Sequence, residues 1–257
     1  MIDTNVNLFQ WPFRRLEGDD PASLVANLRR KGVTQAWAGS FEGLLHRDVS
    51  GVNARLADAC RRHGPNFLIP FGTVNPQQPG WQEDLRRCVE IHKMPGLRLH
   101  PNYHGYTLDD PVAADVLALA ENHKLLVEIA LGMEDERLQY PLMRIPAVDP
   151  APLLDLAKLL PKLRLVLLNA GYHGVHTTGH IHELAQTGNI YFDIANSDEI
   201  GSVGRLVEQA SPSRVVFGSH YPFFYFESSF LKVREAGLPD DQARAVMEGN
   251  ARMLLKG

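Results

Sequence analysis

The sequence predicts a closed (β/α)8 barrel of the TIM type, with residues 1–257 forming a single domain. Short apolar runs alternate with longer helix-period segments from one end of the chain to the other. The runs number eight, and strands that alternate with helices pair in parallel. A chain of 257 residues also suits such a barrel, which typically needs about 250. The competing architecture, an open doubly wound sheet, usually carries a glycine-rich first turn. Here the first strand runs into Phe9-Gln10-Trp11-Pro12-Phe13, which contains no glycine.

The strands are expected near Ile2–Leu8, Val33–Ala38, Phe67–Val74, Gly96–His100, Leu125–Ala130, Leu163–Leu168, Ile190–Asp193 and Val215–Gly218. They are short and rich in Val, Ile, Leu and Phe, as strands buried on both faces should be. Asp20-Pro21 opens the first helix, with Asp as N-cap and Pro in the first turn, and Gly32 follows its end. Asp110-Pro111 repeats that signal. Asp149-Pro150 repeats it again before Leu153–Leu160, where Pro161 stops the helix.

Composition excludes several classes of function. The 26 Lys+Arg against 30 Asp+Glu give a net charge of −4, and no basic block is present for nucleic acid. No apolar run approaches the ~20 residues of a membrane span. Met1-Ile2-Asp3-Thr4 has neither a basic start nor an apolar stretch, so no signal peptide is expected. Cys60 and Cys88 lie in amphipathic helical segments and read as buried, reduced thiols. A soluble, cytoplasmic protein is expected. Its partner is a small-molecule substrate, with self-association into a homo-oligomer left open.

In a barrel of this kind the working residues stand at the C-terminal ends of the strands. Those positions hold Asn5 and Asn7 on strand one, Arg98 and His100 on strand four, and Glu128 and Ala130 on strand five. Strands six and seven contribute Asn169 and Asp193, and strand eight ends in Ser219-His220-Tyr221.

At these positions the sequence resembles the amidohydrolase-related family, in its amidohydrolase 2 branch. Met1-Ile2-Asp3-x-Asn5-x-Asn7 stands where that family opens with I-D-x-H-x-H. Further matches are Trp11-Pro12-Phe13, Gly96-Leu97-Arg98-Leu99-His100-Pro101 and Gly132-Met133-Glu134-Asp135-Glu136-Arg137. Val215-Val216-Phe217-Gly218-Ser219-His220-Tyr221-Pro222 and Gly249-Asn250-Ala251-Arg252 resemble its eighth strand and closing helix. The resemblance implies a distorted barrel from a family of hydrolases, lactonases and decarboxylases. It also implies a metal held by two His on strand one, a His after strand five, a His after strand six and an Asp on strand eight.

This chain departs at each of those positions, with Asn5, Asn7, Ala130, Asn169 and His220. Neutral amides and an alanine do not make a zinc site, so no metal or other cofactor is expected there. What remains is a pocket of amides with one imidazole. His220, with an unperturbed pKa of about 6.5, is the expected general base. Asp193 either orients it or caps a turn. Asn5, Asn7 and Asn169 would orient substrate, with His100 and Tyr221 beside them. Arg98, or Arg137, would pair with a substrate carboxylate, while Glu128 either pairs with Arg98 or takes part in catalysis.

The leading expectation is a metal-independent hydrolase of a small ester or lactone. The alternatives are a barrel that only binds a ligand, and a decarboxylase. The cluster His173, His176, His180 and His182 offers a second place for a divalent metal, although its spacing matches no ligand signature.

Overall fold

Eight parallel strands run in sequence order around one sheet: β1 (Ile2–Leu8), β2 (Gln35–Ser40), β3 (Leu68–Gly72), β4 (Gly96–Leu99), β5 (Leu126–Ala130), β6 (Arg164–Leu168), β7 (Asn189–Asp193) and β8 (Val215–Val216). The computed structural model describes residues 1–171 and 179–256. The sheet closes where β1 meets the β8 segment. There the Thr4 amide donates to the Phe217 carbonyl and the Asn7 amide to the Tyr221 carbonyl, both at 2.9 Å. All eight expected strands are present, offset by a few residues at their ends.

The first helix, Pro21–Arg30, forms as its sequence signal predicts, with the Asp20 side chain accepting from the Ser23 amide at 3.0 Å. The next two signals act differently. The Asp110 carboxylate turns back to the Thr107 amide at 2.8 Å rather than capping helix Pro111–Asn122. Asp149 accepts from Ala151 in a turn, and helix Leu153–Leu159 begins behind Pro152. Both carboxylates find a nearer amide in the preceding turn, so each organises the turn rather than the helix.

Strand alternation sorts the side chains into two layers. Leu97, Leu99, Val127, Ile129, Leu165, Leu167, Ile190, Phe192 and Val215 face outward, into the main core shared with the helices. Ile2, Trp37, Phe71, Leu126, Val166, Leu168 and Val216 fill the inner floor, closed from below by Ala251 and Leu254 of helix Asn250–Lys256. A register shift between Asp3 and Val6 changes the parity of β1. Ile2 and Asn5 can therefore both point inward while Val6 and Leu8 pack outside.

Cys60 and Cys88 are free, buried thiols, each pushed up to about 12 by burial. Among the described residues, no helix is long and apolar enough to cross a membrane.

Candidate active site

Two hydrogen-bonded clusters occupy the interior above that floor. Arg98 of β4 organises the first. Its Nε donates to Glu128 at 2.7 Å, Nη1 to the Val6 carbonyl and to Asn7 Oδ1, and Nη2 to the carbonyls of Thr4 and Trp37. A guanidinium has five N–H donors, so none remains. Gly39 of β2 makes room for this side chain, since a Cβ there would lie 2.7 Å from Arg98 Cδ. The expectation that Arg98 binds a substrate carboxylate does not fit this arrangement, because its charge is spent inside the barrel. Arg137 is exposed and pairs with Asp135 at 2.6 Å.

With Asn7 Oδ1 facing Arg98, its Nδ2 is directed at His220 Nδ1, 3.4 Å away. His220 Nε2 lies 2.9 Å from the Met133 carbonyl. A carbonyl only accepts, so Nε2 carries the proton and Nδ1 accepts from Asn7. Both ring nitrogens are thus committed. The ring is fully buried, which brings its pKa down to about 4; the Met133 contact opposes that shift and the Arg98 charge adds to it. The expected base with a pKa near neutrality is therefore absent at this position, where His220 is a neutral, satisfied imidazole.

The second cluster joins β1, β6 and β7. Asn5 Nδ2 donates to Asn169 Oδ1 at 2.9 Å and to Asp193 Oδ2 at 2.7 Å. Asp193 Oδ1 accepts from the Asn169 amide at 2.7 Å. Asp193 is thus tied to Asn5 and Asn169, and these bonds, rather than one to His220, define its place. Gly218 permits the close packing here, since a Cβ would stand 2.6 Å from Asp193 Oδ2. Asp3, which sequence reasoning did not single out, accepts from the Asn5 amide and from both the amide and hydroxyl of Ser219. Burial raises Asp3 and Glu128 to about 7 and Asp193 to about 6, against the pull of these bonds and, for Glu128 and Asp193, of Arg98.

Both clusters end on one loop. Asn169 Nδ2 donates to the Gly132 carbonyl at 2.6 Å, next to the His220 contact with Met133. Met133 in turn packs with Trp11, Phe41, Leu44, Ala130 and Phe223 in an apolar plug over the mouth. The rings of Trp11 and Phe41 lie 5.2 Å apart, and those of Trp11 and Phe223 5.0 Å, both edge to face. Phe223 thus belongs to the plug, whereas Tyr225 is exposed and Phe226 packs in the outer core. The Gly132-Met133 segment is therefore latched from below and seals the barrel.

Tyr221, expected to face substrate, turns outward, and its hydroxyl accepts from Asn27 of the first helix at 2.9 Å. His100 does face the interior region. It is buried, its ring is 6.0 Å from that of His104, and neither of its nitrogens has a hydrogen-bond partner. Burial, with His104 next, holds it well below its usual pKa. Of the other unpartnered buried atoms among the described residues, Trp11 Nε1, Thr73 Oγ1 and Glu128 Oε1 lie at the same end of the barrel, on the loops after β1 and β3 and on β5, whereas those of Arg87, His92, His180 and Ser229 lie on the surrounding helices and turns. Buried polar atoms without partners are uncommon and expensive, and His100, with two of them, is the most exposed to that cost. Sequence reasoning missed Trp11 and Thr73 as polar contributors because an indole or a lone hydroxyl carries no motif.

His173 and His176 lie outside the described residues. His180 Nδ1 stands 3.6 Å from Glu183, and His182 Nδ1 lies 3.1 Å from the Gln209 carbonyl.

Over residues 9–257 the sequence matches the Amidohydrolase family Amidohydro_2, and the chain belongs to that family. A search of curated protein sequences finds no match. Three solved structures share the fold at low identity. 2,6-Dihydroxybenzoate decarboxylase from Rhizobium is 13% identical, with 99% of each chain covered and a TM-score of 0.73. 5-Carboxyvanillate decarboxylase from Sphingomonas paucimobilis is 14% identical, with 100% of this chain and 98% of that one covered and a TM-score of 0.73. A dihydroxybenzoic acid decarboxylase from a Polaromonas species, with bound manganese and the inhibitor 2-nitroresorcinol, is 12% identical, with 99% and 96% covered and a TM-score of 0.75.

The metal that the family resemblance implies does not suit this interior. Ala130 offers no donor, and the amides of Asn5, Asn7 and Asn169 are engaged in the hydrogen bonds described above. His220 is bonded at both nitrogens. Among the described residues, no group of three or more His, Cys, Asp or Glu is arranged to hold a metal ion.

Proposed function

We propose that this chain is a metal-independent member of the family that binds a small, neutral ring compound of the lactone class beneath the aromatic plug, against His100. The observation that carries this reading is the division of labour at the mouth. The residues at the family's ligand positions are paired with one another and with the lid, while His100 is left buried with both nitrogens unpaired.

The chemistry of the free groups favours a neutral guest. Trp11 Nε1 can only donate. His100 supplies one donor and one acceptor. An anionic guest would meet Asp3, Glu128 and Asp193 with Arg98 already committed, so the carboxylate expected from the sequence becomes the less suitable group. Aromatic walls suit a ring.

A second reading, hydrolysis of such a lactone without metal, is favoured by the free lone pair of the neutral His100. The named decarboxylases lend no support to decarboxylation here, because at 12–14% identity they speak for the fold alone.

The test is a thermal-shift series with lactones, sugar acids and aromatic acids on protein whose metal content is measured. At 100 times its Kd a ligand stabilises by about 2.7 kcal/mol, a rise of roughly 5–10 °C for a chain of this size. Lactones should produce that rise and His100→Leu should abolish it, without turnover. Turnover by metal-free protein moves the assignment to the second reading. Near-stoichiometric manganese or zinc, lost together with activity on chelation, would overturn both.

A further inference from the structure

At the opposite end of the barrel a groove of about 1070 Å³ opens between the turns that precede β4–β7 and the closing helix Asn250–Lys256. Its floor includes Met94, Pro95, Leu125 and Leu254, and its rim includes Lys124, Lys162 and Lys256. Arg164 fixes the walls, with Nη1 donating to the Leu254 carbonyl and Nη2 to that of Lys124, each at 2.5 Å. The groove is therefore braced before anything binds.

The distribution of lysines is uneven. The chain has seven. Lys31, Lys158 and Lys232 are in ion pairs with Glu227, Asp155 and Asp198. The other four, Lys93, Lys124, Lys162 and Lys256, form no ion pair among the described residues. Three of them line this groove, and Lys93 adjoins Met94 of its floor. Lys93 and Lys124 also hold left-handed backbone, with φ of 53° and 57°, in the turns before β4 and β5. Glu121 is the one lining carboxylate, and it accepts from the Lys162 amide at 2.7 Å. On a chain of net charge −4, this is a local concentration of unneutralised positive charge.

We propose that this groove docks an acidic polypeptide segment bearing apolar side chains, supplied by a partner protein. Unpaired lysines on the rim answer carboxylates, and the apolar floor answers the side chains between them. The volume lies at or beyond the upper end for a small-molecule pocket, roughly 300–1,000 Å³, so a length of chain suits it better than a metabolite. A concave cleft does not match a flat membrane surface. A nucleic acid strand would look for open aromatic faces, whereas Tyr191, the aromatic residue lining the groove, is covered by the Arg214 guanidinium at 5.0 Å.

The experiment is fluorescence anisotropy with the full chain and a short labelled peptide of Glu, Leu and Ser. A Lys, Leu and Ser peptide and a Glu and Ser peptide serve as controls. The acidic apolar peptide should bind, lose affinity as salt rises, and outbind both controls. Lys124→Glu/Lys162→Glu should weaken it about tenfold or more, with the neutral Lys162→Gln/Lys256→Gln pair falling between. Circular dichroism and Tm of each variant confirm that the fold is kept. Absence of binding, or binding unchanged in both variants, overturns the proposal. So does displacement by inorganic phosphate beyond that caused by sodium chloride at the same ionic strength, or preferential binding to phosphatidylserine vesicles. None of these outcomes bears on the mouth, because the groove shares no residue with it.

Discussion

Replacing Arg98 with Met removes the buried cation that ties β1, β2, β4 and β5 together inside the barrel. The substitution roughly preserves volume but abolishes the ion pair to Glu128, which is fully buried, and removes the Arg98 donors from the carbonyls of Thr4, Val6 and Trp37. Breaking one partner of a buried pair costs about 3–5 kcal/mol, whereas exchanging both partners for apolar residues is often near neutral. Arg98→Met should therefore lower Tm by roughly 6–20 °C, at about 2–4 °C per kcal/mol for a chain of this size. Arg98→Met/Glu128→Leu should recover most of that loss. The loss in the single variant should also grow as pH rises above about 7, because Glu128, already raised to about 7 beside Arg98, is pushed higher still once that cation is gone and then costs more to ionise. Urea unfolding of the parent, both single variants and the double variant gives the coupling directly. A single variant within 1 kcal/mol of the parent, or a double variant no better than Arg98→Met, would refute the internal role of Arg98. It would return the residue to the substrate-binding place that its strand-end position suggests.

Two more perturbations test the latch and the buried histidine. Asn169→Gly keeps the left-handed backbone at this position, φ 59°, and frees the Gly132 carbonyl. It should cost about 1–3 kcal/mol and speed tryptic cleavage at Arg137 and Arg144, with equal cleavage rates counting against the latch. His220 is at about 4 in the folded chain against 6.5 for the free side chain, so the unfolded state takes the proton first as pH falls. Its contribution is full above about pH 6.5 and lost toward pH 4, up to about 3 kcal/mol. Asp3 acts in the opposite sense: raised from 3.8 to about 7, its contribution is present below pH 3.8 and lost as pH rises through 7. The His220 effect is therefore read as the difference between the parent and His220→Asn, a residue that tolerates φ 57°. The difference in unfolding free energy should grow between pH 4 and 6.5, and parallel curves would remove His220 as its source.

The sequence by itself determined the barrel. Alternating strand and helix periods, with apolar runs short enough to lie buried on both faces, allow few other solutions, and all eight strands formed where those runs stand. Position along the strands also brought Asn5, Asn7, Arg98, His100, Glu128, Asn169, Asp193 and His220 together, because the C-terminal ends of parallel strands share one mouth. Only the tertiary structure decided what each of them does there. Whether Arg98 offers its donors to a guest depends on Asn7, Glu128 and three backbone carbonyls from β1 and β2, all distant in sequence. His220 loses its usual pKa to burial under Phe223 and Met133, whose own positions depend on Trp11 and Phe41. Tyr221 turns outward to Asn27 although it follows His220 directly. Strand periodicity is a local property that a sequence displays, whereas hydrogen-bond saturation and desolvation are sums over neighbours that only the closed barrel supplies.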